Sequence, residues 1–229
     1  MLSQTQEKLI KSLHNNRGRV KAGLWLIEGA KFLKLAGSSV KLKFSPSDSR
    51  NFAELTTTKT PPTEAGLVIP PQFQLTDIIS QKTILLLDNI QDPGNLGTII
   101  RLAGAFDTGL ILCDCVDPGN PKVIRSSAGL VLKTPWIEMT KSAAINWLST
   151  ISWPIYRLEN SQSAQELNLT NNNFLVDKVV IIVGSEGQGI TLPIDTQSIA
   201  IKHKPLIDSI NVATAVAITL FVRYQKLYE

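Results

Sequence analysis

The stretch VVIIVGSEGQGI, residues 179–190, joins an apolar run to a loop that contains three glycines. A second apolar run, TILLL at residues 83–87, is also followed by a loop sequence. Runs that are apolar at every position are typical of strands buried on both faces, as in a parallel sheet covered by helices. The two stretches therefore predict an α/β fold with a parallel sheet at its centre.

The sequence around these runs alternates between strand and helix candidates from residue 82 onward. Weaker strands are predicted at residues 109–112 and 153–156, and helices at residues 96–106, 121–127, 141–149 and 210–224. This alternation favours a sheet with crossover connections. Sites in such sheets lie beyond the carboxyl ends of the strands, so we expect function in the loops after residues 87, 183 and 201.

In the first third of the chain the predicted helices and strands are short and are interrupted by polar loops. This pattern predicts a separate small α/β domain at residues 1–78, with the larger domain at residues 79–229. Loops are predicted at residues 44–50 and 56–63, which are rich in serine, threonine and proline. The predicted regular elements are helices at residues 6–14 and 28–35 and strands at residues 24–27 and 67–69.

Composition excludes several classes of protein. Of 229 residues, 43% are hydrophobic and 18% are charged, as in a globular chain. Cys113 and Cys115 are too close for an ordinary disulfide, and His14 and His203 are the only histidines, so we expect no disulfide framework and no metal site. The absence of a signal-like amino terminus and of a long apolar run predicts a cytoplasmic protein without a membrane anchor.

Positive charge is concentrated at the amino terminus. Residues 1–50 contain ten Lys or Arg against three acids, a net charge of +7, whereas the whole chain has +4. A basic domain on a slightly acidic body suggests a polyanion partner, whose binding would depend strongly on salt. A solvated charged surface, an acidic partner or membrane headgroups would explain the same charge.

The loop DNIQDPGNLGTIIR, residues 88–101, carries Asn95 and Arg101. Arg101 lies nearly two helical turns after Asn95, so we expect both side chains on roughly the same side, where they could address one phosphate or ribose. Alternatively, Asn95 only caps the helix and Arg101 only pairs with a surface acid.

The other two loops also carry polar candidates. Glu186 lies within the glycine loop, and Ser209 and Asn211 lie where the last helix is predicted to begin. A tight connection and an ordinary helix cap are the structural alternatives. The glycine loop matches neither the dinucleotide-binding fingerprint nor a P-loop, which argues against a nicotinamide-dependent dehydrogenase.

Together and in this order, the three motifs resemble those of a known family. They are N-x-G-x-x-x-R at residues 95–101, GSEGxG at residues 184–189 and SINVA at residues 209–213. The resemblance is to the SpoU (TrmH-like) branch of the SPOUT RNA methyltransferases and covers residues 82–226. The segments at residues 121–132, 9–28 and 52–68 also resemble corresponding parts of that family.

The resemblance implies a parallel-sheet α/β-knot catalytic domain with a deep trefoil knot, preceded by a small α/β substrate-binding domain that is trimmed here. It implies S-adenosylmethionine as cofactor and transfer of its methyl group to a ribose 2′-hydroxyl of RNA. Ribosomal RNA is favoured over transfer RNA, and a homodimer is expected through the C-terminal helix. The alternative is an RNA-binding module that keeps the fold without turnover.

The family's roles transfer to individual positions of this sequence. The implied catalytic residues are Arg101, Asn95, Glu186, Ser209 and Asn211. The implied cofactor-binding residues are Gly184, Ser185, Gly187, Ile201, Ser209 and Ile210. The predicted RNA-binding residues are Arg101, Arg17, Arg19, Lys21 and Arg125. The sequence departs from the family at Lys202 and His203, where a proline and a methionine are usual, which could reshape the cofactor pocket or point to solvent.

Overall fold

The two continuous apolar runs form neighbouring strands at the centre of a parallel sheet. In the computed structural model, which describes residues 1–167, 176–204, 206 and 209–228, strand β4 (Thr83–Asp88) pairs in parallel with β9 (Val179–Gly184). Every residue of β4 is buried. The prediction of doubly covered strands is confirmed.

Five further strands complete a seven-stranded sheet in the order β6-β5-β4-β9-β7-β10-β8, and all of its pairings are parallel. They are β5 (Thr108–Cys113), β6 (Trp136–Glu138), β7 (Ile155–Leu158), β8 (Gln165–Glu166) and β10 (Gln197–Ala200). The short strands β6, β8 and β10 were not predicted. Strand β9 inserts between β4 and β7, which both precede it in the chain; the trefoil knot itself stays a prediction.

Helices cover both faces of the sheet. Alternate residues of each strand point to opposite faces, so each face packs its own set of apolar side chains against helices. Leu85 and Leu87 pack in one core with α6 (Pro93–Ala105), α7 (Pro121–Ser126) and α9 (Val212–Tyr228). Ile84 and Leu86 pack in a second core with α5 (Leu75–Ile79) and α8 (Lys141–Thr150). None of the helices within the described residues is long and apolar enough to span a bilayer.

The amino-terminal part forms a three-stranded antiparallel sheet in the order β1-β3-β2. Its strands are β1 (Trp25–Glu28), β2 (Val40–Phe44) and β3 (Ala65–Val68), and its helices are α1 (Gln4–Ser12), α2 (Asn16–Ala22), α3 (Ala30–Ala36) and α4 (Phe52–Leu55). The predicted loop at residues 56–63 contains no regular element. The sequence prediction missed α2, α4 and β2.

The predicted domain boundary at residue 78 needs correction. Ile78, on α5, is fully buried in the second core of the large sheet, and it lies so close to Gly109 of β5 that a Cβ there would clash with it. Helix α5 therefore belongs to the large domain, and the chain passes between the two domains at residues 69–74.

The two domains meet along a seam, defined here by Trp25, Trp136, Arg19, Asp117 and Arg125, which also borders a cavity of about 430 Å³. The rings of Trp25 and Trp136 stack with their centroids 6.0 Å apart, and both lie in the same hydrophobic core as β4 and β5. Arg19 pairs with Asp117 at 2.6 Å across the seam. The hydrophobic core is thus continuous from one sheet to the other.

Candidate active site

Three loops at the carboxyl edge of the large sheet bring three predicted residues into direct contact. The Asn95 side-chain amide donates to Glu186 Oε1 at 3.2 Å, and the Asn211 amide donates to the same oxygen at 2.6 Å. Asn211 also donates to Asn95 Oδ1 at 3.0 Å. Residues separated by 91 and 25 positions in the chain therefore form one hydrogen-bonded cluster.

Helix starts fix the two amides. Asp92 caps α6 by accepting from the backbone N–H of Asn95 at 2.9 Å, so Asn95 is not the cap, and its side chain is available to Glu186. Asn211 precedes α9, and its Oδ1 accepts from the N–H groups of Ala213 and Thr214. The capping alternative is therefore correct for Asn211, but its amide nitrogen still takes part in the cluster.

One oxygen of the Glu186 carboxylate is fixed by three donors, since the N–H of Val212 also reaches Oε1 at 3.3 Å. The other oxygen, Oε2, accepts no hydrogen bond from the described residues, and the side chain is exposed. The carboxylate is thus oriented by one oxygen and presents the other to solvent. An acceptor held in this way can receive a hydrogen bond from a substrate hydroxyl.

Two glycines of the motifs are required by close packing. A Cβ at Gly97 would lie 2.6 Å from the Cβ of Ser126, so its absence lets α7 lie against α6. A Cβ at Gly184 would lie 2.1 Å from the backbone of Gly189, which pairs with Ser185 as the loop turns back. Both positions therefore need glycine, and each holds one motif in place.

Two cavities flank the start of α9. The first, of about 320 Å³, is lined by both the 88–95 segment and the glycine loop, including Asn95, Ser185, Glu186 and Gly187. The second, of about 120 Å³, is lined mainly by apolar groups and includes Ile201, Ser209 and Ile210. Ile210 lines the second cavity and Val212 lines the first, so Asn211 stands between them along the chain.

The predicted cofactor residues thus divide between two neighbouring cavities. Ile201, Ser209 and Ile210 share the second cavity, whereas Ser185 and Gly187 line the first and Gly184 lies at the base of the glycine loop. The segment at residues 201–213 is described except for residues 205, 207 and 208.

Lys202 and His203, the two residues that depart from the family pattern, occupy different environments. His203 lines the second cavity, and its Nδ1 lies 3.1 Å from the carbonyl oxygen of Lys204. Lys202 is exposed and lies 3.4 Å from Glu166. Histidine therefore contributes to the cavity wall, while lysine points to solvent.

Arg101 is exposed and makes no hydrogen bond or ion pair with the described residues. The expectation that it shares a side with Asn95 is wrong, because six residues at about 100° per residue place it roughly 120° around the helix axis. Arg101 is consequently open to solvent rather than part of the Glu186 cluster.

The predicted RNA-binding residues of the basic segment also separate. Arg17 and Lys21 are exposed on α2. The structure contradicts the prediction that Arg19 contacts RNA. Its side chain is only 4% exposed, pairs with Asp117 and donates to the carbonyl oxygen of Leu13. Arg125 is one-third exposed and is held at the seam by Glu28 and Thr57.

Two polar residues that tie the loops together, Asp88 and Asn89, were not predicted from the sequence. Asp88 is fully buried at the end of β4 and accepts from the backbone of Thr191 and Leu192. Asn89 donates to Gln188 at 2.8 Å. The sequence contained a signal for Asp88, because an aspartate directly after a buried parallel strand lies at the edge of the sheet where sites form.

A parallel α/β sheet with a polar cluster between two cavities at its carboxyl edge defines an α/β enzyme that brings two ligands together. The model of the SpoU rRNA Methylase family matches residues 82–221. The chain belongs to this family, which confirms the resemblance seen in the three motifs.

Relatives match both domains. The chain is 28% identical to an uncharacterized tRNA/rRNA methyltransferase of Synechocystis, covering 96% of this chain and 92% of the relative. It is also 28% identical to the 23S rRNA (guanosine(2553)-2′-O)-methyltransferase RlmP of Bacillus subtilis, covering 92% of each.

Solved structures share the whole fold. An AdoMet-bound rRNA methyltransferase from Sinorhizobium meliloti superposes with a TM-score of 0.84 at 24% identity, over 99% of this chain and 97% of the other. The SpoU methyltransferase AviRb from Streptomyces viridochromogenes, in complex with AdoMet, has a TM-score of 0.82 at 19% identity, over 99% of each chain.

Proposed function

We propose that this protein transfers a methyl group from S-adenosylmethionine to a ribose 2′-hydroxyl of RNA. The observation that carries the proposal is the Glu186 carboxylate, held by Asn95 and Asn211 at the boundary of two cavities. The Bacillus subtilis relative is named for the same reaction. Acting on cellular RNA, the enzyme would work in the cytoplasm.

The second cavity, of about 120 Å³, would hold only the adenine part of the cofactor. Ile201 and Ile210 offer apolar walls for an adenine ring, and Ser209 offers backbone and hydroxyl groups beside them. His203 adds a polar group to this wall, so the departure from the family is compatible with cofactor binding. When bound, S-adenosylmethionine supplies an electrophilic methyl group on a positively charged sulfur.

The first cavity receives the target nucleotide. The free Oε2 of Glu186 accepts a hydrogen bond from the ribose 2′-hydroxyl, and the proton that this hydroxyl loses on methylation passes by way of Oε2 to solvent. Asn95 and Asn211 keep the carboxylate in that orientation. This arrangement aligns the hydroxyl oxygen for attack, which is the main requirement for methyl transfer. Gly184, Ser185 and Gly187 shape the loop that carries Glu186, and we propose that they offer backbone groups to the cofactor.

Arg101 lies outside the Glu186 cluster in the protein without RNA, and we propose that it reaches the phosphate of the target nucleotide and stabilises the charge that develops on the 2′-oxygen when RNA is bound. A guanidinium keeps its protons in proteins, so Arg101 is not the proton acceptor. Its exposure and the absence of a described acidic partner leave its bidentate donor group available to a phosphate.

Ribosomal RNA is the proposed substrate. The basic small domain supplies Arg17 and Lys21 for backbone contacts, and Arg125 at the seam still exposes one-third of its side chain. The named substrates of several relatives, including that of Bacillus subtilis, are ribosomal.

We also propose a homodimer through α9, where Phe221 is 51% exposed. Light scattering after size-exclusion chromatography measures the molar mass directly.

The decisive experiment offers labelled S-adenosylmethionine with unmodified ribosomal and transfer RNA in separate reactions. Arg101→Ala is the inactive variant, and Lys133→Ala, at an exposed position outside the cluster, is the matched control. We expect label on ribosomal RNA that is lost only in Arg101→Ala. Cofactor binding without label on either RNA would contradict the proposed substrates, and absence of both would favour the non-catalytic RNA-binding module.

A further inference from the structure

A buried carboxylate lies directly beneath the proposed active site. Asp88 ends β4 with no exposed surface, and its Oδ2 accepts from Thr191 N at 2.5 Å, Leu192 N at 2.9 Å and Thr191 Oγ1 at 2.9 Å. Three donors on one oxygen indicate a fixed anchor rather than a surface contact.

The anchored segment is the far end of the glycine loop. The loop leaves β9 at Gly184, which is the neighbour of Asp88 in the strand register, and it returns to the sheet at Thr191. Between these two points the loop is closed by the Gly189 N–H, which donates to the Ser185 carbonyl at 2.9 Å. Glu186 lies inside the loop whose return Asp88 anchors.

The backbone of Asp88 continues into the segment that carries Asn95. The next residue, Asn89, donates to Gln188 of the glycine loop at 2.8 Å, and Asn95 donates to Glu186 at 3.2 Å. Three successive contacts therefore connect the two segments, and the innermost is the buried one at Asp88.

Lys141, the first residue of α8, completes the anchor. Its Nζ lies 3.2 Å from Asp88 Oδ1 and 2.6 Å from Thr191 Oγ1. A buried carboxylate requires a cation or several hydrogen bonds to offset the loss of water, and Asp88 has both. Lys141 also lies 3.6 Å from Asp114, after β5, so a third strand end joins the network.

We propose that Asp88 is a positioning residue that, through Thr191, holds Glu186 in register with Asn95 and thereby sets the geometry of methyl transfer. The proposal rests on the proposed function. Asp88 itself is buried and touches neither substrate nor cofactor, and its effect passes through the loop that it anchors.

Thr191→Val tests the proposal without removing the buried charge. It removes the hydroxyl contacts to Asp88 and Lys141 but keeps the backbone N–H and the side-chain shape. We expect kcat to fall by at least about tenfold, the order of one hydrogen bond to a charged group, with the KM for RNA nearly unchanged. Thr191→Ser should restore turnover. Thr150→Val, whose hydroxyl contacts only Trp147 O, is the matched control.

A double-mutant cycle shows whether the effect passes through Glu186. We expect Thr191→Val to cost little more once Glu186→Gln is present, whereas additive losses would overturn the route through Glu186. Unchanged turnover in Thr191→Val alone would overturn the proposal as a whole. These outcomes require methyl transfer by the parent enzyme.

Amide hydrogen exchange gives a second readout that needs no activity. In Thr191→Val we expect faster exchange in residues 185–190 and no change in β4 or β9. Unchanged exchange in the loop would contradict the anchor even if no RNA is methylated. Faster exchange without methyl transfer by the parent enzyme would keep the anchor and reject the proposed function. Asp88→Asn replaces the carboxylate partner of Lys141 and Thr191 by a neutral amide. This variant should also show faster exchange in residues 185–190, together with a lower Tm.

Discussion

Asn211 shows how one side chain can serve the fold and the chemistry together. Its oxygen caps α9, and its nitrogen holds the Glu186 carboxylate at 2.6 Å. Because both atoms belong to one planar amide, the direction of the helix and the orientation of the carboxylate are linked. Substitutions at this residue can separate the two roles.

Asn211→Ser should keep the cap and lose the contact with Glu186. Serine caps helices about as well as asparagine but is too short to reach the carboxylate, so we expect Tm to stay near the parent value while turnover falls. Asn211→Ala should lose both, with an added stability cost of about 1 kcal/mol. Thermal melts and methyl-transfer rates measure the two effects separately. Parent turnover in Asn211→Ser would show that the contact with Glu186 is dispensable.

Arg101→Lys tests whether the shape of the guanidinium matters in addition to its charge. Lysine keeps the charge but lacks the planar fork that binds phosphate through two hydrogen bonds. We expect kcat to fall on the order of 10²-fold, as when one donor to a developing oxyanion is removed. Single-turnover methyl transfer at saturating RNA is the measurement. Turnover near that of the parent would exclude the bidentate role.

At the scale of elements, the end of β7 connects the sheet to the second cavity. Arg157 donates to Glu159 and to the backbone carbonyls of Leu192 and Ile194, and Ser198 of β10 also donates to Glu159. Hydrogen bonds from Arg157, partly opposed by burial, hold the pKa of Glu159 below its ordinary value. Glu159 also lines the second cavity.

Glu159→Gln should therefore destabilise the protein in a pH-dependent way. A carboxylate whose pKa is lowered by folding stabilises the native state above its unfolded pKa, and this contribution is lost as pH falls through the folded pKa. We expect a loss of about 1 to 2 kcal/mol at neutral pH that shrinks in acid below the ordinary glutamate pKa. Denaturant unfolding across pH measures it, with exposed Glu166→Gln as control. A pH-independent loss would contradict the assignment.

At the scale of the whole molecule, the shared core at the seam predicts that the two domains unfold together. Arg19 is buried against Asp117, whose side chain is 17% exposed, and the two tryptophans stack beside them. The basic residue that appeared from sequence to be an RNA contact instead joins the domains.

Arg19→Met should lower the Tm of the entire protein. Removing the cation leaves Asp117 without its ion-pair partner, which costs about 3 kcal/mol for a buried pair, or roughly 6–12 °C in a chain of this size. Calorimetry should show one transition at lower temperature, with exposed Arg17→Met unchanged. Two separated transitions would show that the domains unfold independently and that the seam is not a common core.

The sequence predicted the parallel sheet well, because TILLL and VVIIV are apolar at every position and each is bounded by loop residues. Asn95, Glu186 and Asn211 were also predictable, although their mutual contacts join loops that are distant in the chain. Strands β6 and β8 were not predicted because two or three residues carry too little periodicity. Arg19 was misassigned because charge reports composition and not burial, which depends on a partner 98 residues away.

The continuous core across the seam also has a kinetic consequence. Opening the domains would expose Trp25, Trp136 and their apolar neighbours, so we expect the two domains to keep their arrangement when RNA binds. We then expect the main rearrangement on association to fall on the RNA, whose target nucleotide would leave its stack to reach Glu186 in the proposed complex. We therefore expect unpaired, easily extruded nucleotides to be modified fastest, so that the flexibility of the RNA becomes a determinant of selectivity.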